Sequence, residues 1–448
     1  MSLKTHSQSF EECELSSEEK TKHDATLNSL VAQPDLISLE MLQSPGHESL
    51  YALWTARLYS NPSYFKRLVK RESRFGRIDL ENLANLLGFE YEESANHDEL
   101  KFEYFMQAQQ LKDKLEPLEP GFNGILKTNL NSLGDLIGLT QFDRHLLGFF
   151  CLFMNKRAFV SVTDEMGEMN RQDLHETLAL LLDLNDRDIA KALSRDGKLF
   201  KTGLLKLDQR DNNELQRKVE VLDGLTDVLM TESDNPLELL AQYFYRAHSA
   251  EMTLESFPHL QEDSHALLAY LKANIQQPGV NILIHGEPGT GKTQWVKSLA
   301  EQLNVSLYEV TAEDTDGESL PQHRRVEVYR LAQSALAHQG QSLVLFDEVE
   351  DVFPNDTSFI LAPRHVSRGN KAWINKLLEQ NPVPTFWISN KIHHIDPAYI
   401  RRFDMVIEVA APPSSVRKQI IQQAVDGLNV SDKWIDQLAK ETSLVPAL

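Results

Sequence analysis

The chain has 448 residues, 41% hydrophobic and 25% charged, an ordinary globular balance with room for two or three domains. Its formal charge of −21 argues against a surface that holds nucleic acid mainly through bulk electrostatics, while leaving room for a local basic patch. Two cysteines, Cys13 and Cys151, exclude a disulfide framework and a cysteine metal cluster, and fit a reducing, cytoplasmic compartment.

The first twenty residues, MSLKTHSQSFEECELSSEEK, lack the apolar core of a secretory signal. The most apolar stretch, Leu146 to Met154, is far shorter than the roughly 18–20 residues that cross a bilayer, so it reads as a buried helix. No membrane association is expected.

Residues 1–40 are polar, acid-rich and without a period, and read as a flexible arm. Residues 41–207 read as a mostly α-helical N-terminal domain. Leu50, Leu53, Leu58, Phe65 and Leu68 fit helices broken near Asn61 and Pro62. Three similar amphipathic segments follow, over Leu80–Phe89, Leu130–Leu139 and Leu174–Leu184, two of them trailed by helices starting near Asp143 and Asp186. Their spacing is not fixed, which argues against a solenoid. A helix is expected to end at Asp196-Gly197, with strand-like runs on either side of Gly203. That pattern fits a packing hairpin, or the wing of a winged-helix fold, which itself names no partner. Residues 208–250 read as a charged helical linker.

From Asn281 the periodicity changes. Short apolar runs rich in β-formers, Asn281–Ile284, Ser306–Val310, Ser342–Phe346, Thr385–Ile388 and Met405–Val409, alternate with longer amphipathic segments. That alternation signals an α/β fold, a parallel sheet covered by helices. The first run leads into Gly286-Glu-Pro-Gly-Thr-Gly-Lys-Thr293, which matches G-x-x-x-x-G-K-[ST], and a helix over Gln294–Gln302 follows. Glycines at those positions let the backbone curl so that successive amides point at phosphate oxygens, and the helix N-terminus adds positive potential. Gly286, Glu287, Pro288, Gly289, Thr290, Gly291, Lys292 and Thr293 are therefore the candidate ATP-binding residues. Lys292 would lie against the phosphates and Thr293 would ligate Mg²⁺.

The third run ends in Asp347-Glu348, carboxylates at the C-terminal end of a buried strand, where open α/β sheets bind ligands. Asp347 is suited to hold Mg²⁺, and Glu348 to act as general base on the attacking water. Glu350 and Asp351, just beyond, fit a solvated acidic turn.

These two motifs, with Trp387-Ile-Ser-Asn390 and Ile395-Asp-Pro-Ala-Tyr-Ile-Arg-Arg-Phe-Asp404, resemble the AAA+ ATPases of the AAA subgroup, whose module is a P-loop NTPase sheet flanked by helices. The resemblance runs from about Phe257 onward. It implies a large α/β subdomain over 251–411 and a helical lid over 412–448, apparently incomplete, with no assignable second sensor. It implies that Asn390 orients the lytic water. It also implies that Arg401 and Arg402 reach the ATP of a neighbouring subunit, with the choice between them open, in a homo-oligomeric ring that is usually a hexamer. Adenine would lie near Glu262–Asn274.

The sequence departs from the family at His285 and Glu287. Asp314-Thr-Asp-Gly-Glu-Ser319 lacks the aromatic pore residue of ring translocases, which argues against hand-over-hand threading. The basic stretch Asp356–Asn370, with Arg364, His365 and Arg368, fits a pore-facing loop or a solvated one. The function expected is Mg-ATP-dependent remodelling of a protein client. The alternative is a nucleic-acid-associated ATPase or a nucleotide-dependent regulatory switch.

Overall fold

The computed structural model describes residues 47–66, 80–89, 97–208, 213–233, 235–313, 317–353, 374–425, 428 and 430–441. The expected arm over 1–40, the basic stretch 356–370, Cys13 and residues 314–316 of the acidic segment lie outside the described residues. The described residues of 1–123, 156–186 and 211–216 form one compact unit, and those of 124–155, 187–210 and 217–448 form a second.

The first unit is helical. Glu48–Tyr59, Leu80–Leu87, His97–Leu115, Arg157–Asp164 and Arg171–Leu182 turn their leucines and aromatics toward one core. Tyr51, Trp54 and Phe159 meet there at ring separations of 5.6 to 5.8 Å, in the tilted and edge-on geometries that aromatic quadrupoles favour. Arg57 crosses this core boundary, donating to the Leu181 carbonyl at 3.0 Å and to Glu116 at 3.2 Å. The helix Arg171–Leu182 opens on a capping box: the Asn170 side chain accepts from the Asp173 amide, and the Asp173 carboxylate accepts from the Asn170 amide.

The second unit is built on a six-stranded sheet of β3 (Phe244–Arg246), β4 (Asn281–His285), β5 (Ser306–Val310), β6 (Ser342–Phe346), β7 (Thr385–Ser389) and β8 (Met405–Glu408), in the order β3-β5-β6-β7-β4-β8. All neighbours are parallel except β3, which runs antiparallel to β5 at the edge. Burial on both faces explains the continuous apolar runs: Ile282, Leu283 and Ile284 are fully enclosed, as are Leu343 and Val344. Each such side chain contributes about 1.5–3 kcal/mol by leaving water. Helix Lys292–Leu303 covers one face through Trp295, Val296 and Leu299, and the Trp295 indole donates to Ser264 of helix Gln261–Asn274 at 3.0 Å. Leu146 to Met154 falls within helix Gln141–Asn155, where all but the last residue are buried. No single helix among the described residues is long and apolar enough to cross a membrane.

A buried polar layer fixes the register at the far end of the sheet. The Asn281 side-chain NH₂ donates to the carbonyls of Leu378 and Gly279 and to the Asn381 side chain, and its side-chain oxygen accepts from the Trp387 indole at 2.9 Å. Its amide donates to the Asp404 carboxylate at 2.7 Å, which ties the Arg-Arg-Phe-Asp segment to β4.

Two stretches differ from the sequence expectation. The run before Gly203 is one helical turn, Lys198–Lys201, closed by the Thr202 hydroxyl donating to the carbonyls of Lys198 and Leu199. The hairpin is instead β1 (Leu205–Leu207) paired antiparallel with β2 (Val219–Val221). The expected helical linker over 208–250 holds β2 and β3 between helices of four to six residues. Three-residue strands carry too little alternation to be read locally. The turn at Gly203 lies against helix Gln322–Leu336 so closely that a Cβ there would meet the Glu327 carbonyl oxygen at 2.5 Å. Arg324 pairs with Asp223 at 3.0 Å, and Arg330 reaches the Phe200 carbonyl at 3.5 Å.

Candidate active site

The parallel strands deliver their C-terminal ends to one edge, and strand order decides which residues meet there. β7 separates β4 from β6, with His285 opposite Ser389 and Phe346 opposite Trp387. The phosphate-type loop leaving β4, the turn leaving β7 and the carboxylates leaving β6 are therefore adjacent in space although scattered in sequence.

The loop 286–291 is shaped by its glycines. Gly289 and Gly291 have φ of 78° and 90°, in the left-handed region that a Cβ disfavours. Gly286 runs so near the end of β8 that a Cβ would lie 2.2 Å from the Val409 carbonyl oxygen. The Thr290 hydroxyl donates to the Glu287 carbonyl at 3.0 Å, and Gly291 caps the helix Lys292–Leu303. Phe257 closes the loop from beneath, its ring 3.0 Å from where a Cβ of Gly291 would stand.

Lys292 is 6% exposed, and its ammonium donates to the carbonyls of Gly286 and Glu287, both at 2.9 Å. Burial pulls its pKa below the ordinary lysine value, and the charges of Asp347, Glu350 and Glu287 oppose that pull. The Thr293 hydroxyl donates to Asp347 at 3.1 Å, and the other Asp347 oxygen accepts the Glu348 amide at 2.7 Å. Burial pushes the Asp347 carboxyl above its usual range, against those two hydrogen bonds and the Lys292 charge. His285, beside Glu408 across the strand pair, is pulled down by burial.

Glu348 leaves β6 in a left-handed turn, φ 52° and ψ 59°, with its side chain exposed. Glu350 folds back onto the end of β7. One of its oxygens accepts from the Ser389 hydroxyl at 3.1 Å, from the Lys391 amide at 3.0 Å and from the Asn390 amide. Asn390 is thereby held at the strand end between the loop and the acidic pair. Arg325, on helix Gln322–Leu336, is 4% exposed and donates to the carbonyls of both Asp347 and Glu348.

The structure thus gathers Gly286 to Thr293, Asp347, Glu348 and Asn390 at one sheet edge. Arg401 and Arg402 lie apart, after the short helix Pro397–Ile400, and both are exposed. Arg402 pairs with Glu379, whereas Arg401 has no ion pair among the described residues. Sequence reasoning missed the parts played by Glu350 and Arg325. Glu350 looked like one more acid in a solvated turn, although its spacing two residues beyond Glu348 was visible. Arg325 lies 22 residues before Asp347 on an amphipathic helix, and nothing local marks it.

The site fits the groups its motif implies. Thr293 and Asp347 set a hydroxyl and a carboxylate oxygen side by side, the hard donor set that Mg²⁺ takes when phosphates and water complete its shell. Lys292 and the curled loop supply the complementary positive, glycine-lined cradle.

A family model described as "ATPase family associated with various cellular activities (AAA)" matches residues 282–411. A putative 26S proteasome regulatory subunit homolog of Methanothermobacter marburgensis is 32% identical over 168 residues, 36% of this chain and 44% of that protein. Proteasome-activating nucleotidase 1 of Haloferax volcanii is 25% identical over 242 residues, 50% of this chain and 58% of the relative. CD-NTase-associated protein 6 of Pseudomonas aeruginosa is 32% identical over 173 residues, 35% of this chain and 57% of that one. The chain spans about half the length of these curated relatives. The matched stretch holds the loop, the acidic strand end and Asn390 described above, and residues 282–411 carry an AAA-type ATPase domain.

Proposed function

We propose that this protein hydrolyses Mg-ATP in a homo-oligomeric ring and uses the cycle to remodel a protein client. The observation that carries the reading is the 3.1 Å contact between Thr293 and Asp347, which joins the phosphate-type loop to the acidic strand end. Loop amides of 286–291 and the ammonium of Lys292 bind the phosphates, the lysine exchanging its two carbonyl partners for phosphate oxygens. Thr293 and Asp347 would hold Mg²⁺, which when bound neutralises charge on the β- and γ-phosphates. Asn390 orients a water in line with the γ-phosphorus. Glu348 accepts a proton from that water as its oxygen bonds phosphorus and the bond to the β–γ bridging oxygen breaks, giving ADP and phosphate.

Arg401 is the finger offered to the neighbouring protomer, because Arg402 is engaged by Glu379. Charge delivered from outside makes turnover depend on assembly. The relatives whose names tie them to the proteasome favour a protein client over nucleic acid, and the chain's net charge of −21 agrees. Cys151 is a free, buried cysteine, the form a cysteine keeps in a reducing, cytoplasmic setting.

The test is ATPase activity across a concentration series for the wild type, Glu348→Gln, Arg401→Ala and Arg402→Ala. Specific activity should rise with assembly. Glu348→Gln should keep nucleotide and lose turnover. Arg401→Ala should lose about a thousandfold, and Arg402→Ala far less. Concentration-independent activity unaffected by Arg401→Ala would refute the ring reading. Stimulation by DNA and not by unfolded polypeptide would refute the protein client.

A further inference from the structure

We propose that Arg325 is a positioning residue for hydrolysis: it locks the left-handed turn from which the Glu348 carboxylate leaves β6. The inference rests on the reading of Glu348 as the base that activates water.

Glu348 sits at φ 52° and ψ 59°, a conformation that a residue with a Cβ adopts only when its surroundings impose it. Two groups impose it here. Asp347 accepts the Glu348 amide from one side at 2.7 Å. Arg325 takes the two carbonyls that flank the Glu348 Cα: one terminal nitrogen donates to Asp347 O and the other to Glu348 O at 2.9 Å. The planar guanidinium fork sets the spacing of the two donors, so the two carbonyls must stay on one side of the turn. Rotation of the turn toward an extended or right-handed backbone would pull at least one carbonyl out of reach and redirect the Glu348 side chain.

The clamp is itself held. The Arg325 guanidinium lies over the Phe346 ring, 4.6 Å from its centroid, and Phe346 is wedged between Tyr329 and Trp387 at 5.8 and 5.1 Å. Cation and ring attract, and in a buried site that attraction is little screened. Arg325 also stands on a helix fastened elsewhere, through Arg324 to Asp223 and through Arg330 to the Phe200 carbonyl. The hydrolytic turn is thus referenced to helix Gln322–Leu336 as well as to its own strand. Arg325 is buried, and through these two carbonyls it bears on the reaction by way of the backbone that carries Glu348.

The test uses the full chain and four proteins: wild type, Arg325→Lys, Glu348→Gln and the double variant. Binding of methylanthraniloyl-ATP with Mg²⁺ and steady-state turnover are measured for each. Lysine keeps the charge and the stem but cannot span both carbonyls. Arg325→Lys should lower kcat roughly tenfold to a hundredfold, the usual consequence of a displaced catalytic group, with Kd unchanged. In the Glu348→Gln background the same change should lower turnover no further, because there is no base left to misplace. Unchanged kcat in Arg325→Lys would overturn the proposal. So would loss of nucleotide affinity in step with kcat, which marks a merely structural residue, and so would a full additional fall in the double variant. Should Arg325→Lys not yield soluble protein, Arg325→Gln is judged by the same measurements. Failure of the underlying reading is seen separately, as wild-type turnover in Glu348→Gln itself.

Discussion

Asp347→Asn should stabilise the free protein while abolishing hydrolysis. The carboxylate keeps two hydrogen bonds, from the Glu348 amide at 2.7 Å and from the Thr293 hydroxyl at 3.1 Å. An asparagine of the same shape preserves both contacts, its oxygen accepting from the amide and its NH₂ donating to the hydroxyl. What changes is the charge. Burial is the largest influence on Asp347, and it outweighs both hydrogen bonds and the nearby ammonium, leaving the pKa raised. An ionised group held in that condition works against the fold. Relieving such strain at a functional site is worth about 0.5–2 kcal/mol, which at about 2–4 °C per kcal/mol for a domain of this size is a rise of about 1–8 °C in Tm.

The sign with pH follows from the direction of the shift. A carboxyl whose folded pKa exceeds its unfolded value binds more protons in the native state within the window between the two. Stability therefore falls as pH rises through that window. The wild-type penalty is complete above the raised native pKa and absent below about pH 4, the unfolded aspartate value. Thermal melts without nucleotide or metal, at pH 4 to 8, should show the Asn advantage at neutral pH and its disappearance on acidification. An Asn variant that melts below the wild type at pH 7.5, or whose advantage grows in acid, would refute the argument.

Gly286→Ala forces a Cβ to 2.2 Å from the Val409 carbonyl, a backbone atom that cannot swing aside. It should cost about 1–3 kcal/mol in denaturant unfolding and weaken ATP binding, read by fluorescent nucleotide titration. Glu350→Ala removes the acceptor shared by Ser389, Asn390 and Lys391. Leaving those donors to water or unpaired should cost about 1–3 kcal/mol and lower kcat more than it raises KM, because the strand end carrying Asn390 is released.

The sheet was legible because its strands are buried on both faces: the five parallel strands read from the sequence begin where the structure begins them, and their ends agree to within one residue. The loop and Asp347 were legible for a related reason. Their chemistry needs fixed residue types at fixed spacing next to such a strand. What escaped depends on contacts between distant segments. β3 is three residues long, with Tyr245 partly exposed, and exists because β5 offers an edge. The grouping of helices Gly124–Ile137 and Gln141–Asn155 with the α/β module rests on packing such as Asn129 donating to the carbonyls of Leu229 and Thr231, a hundred residues on. Amphipathic periodicity tells that a helix has a face to bury, never against which partner. Arg325 and Glu350 belong to the same class, since each acts on backbone that only the fold brings near.

The two shifted charges at the site also say what it lacks on its own. Were Lys292 and Asp347 a structural ion pair, attraction would raise the lysine and lower the aspartate. Both move the other way, and burial is the leading cause for each. The lysine donates only to the neutral carbonyls of Gly286 and Glu287, and the aspartate accepts only from an amide and a hydroxyl. Their mutual attraction is present but outweighed by burial, so each charge can still gain from a further partner, an anion at the lysine and a cation at the aspartate. This separates the two ligands in a thermal-shift experiment. ATP with chelator should raise the Tm of the wild type and of Asp347→Asn alike, because both keep the cradle and Lys292. Adding Mg²⁺ should raise the wild type further and leave Asp347→Asn nearly where it was. At a hundredfold excess over Kd the full ligand effect approaches about 2.7 kcal/mol, large enough to resolve the two steps. An equal Mg²⁺ increment in both proteins would show that the cation does not use Asp347, and the assignment of the acidic strand end would fall with it.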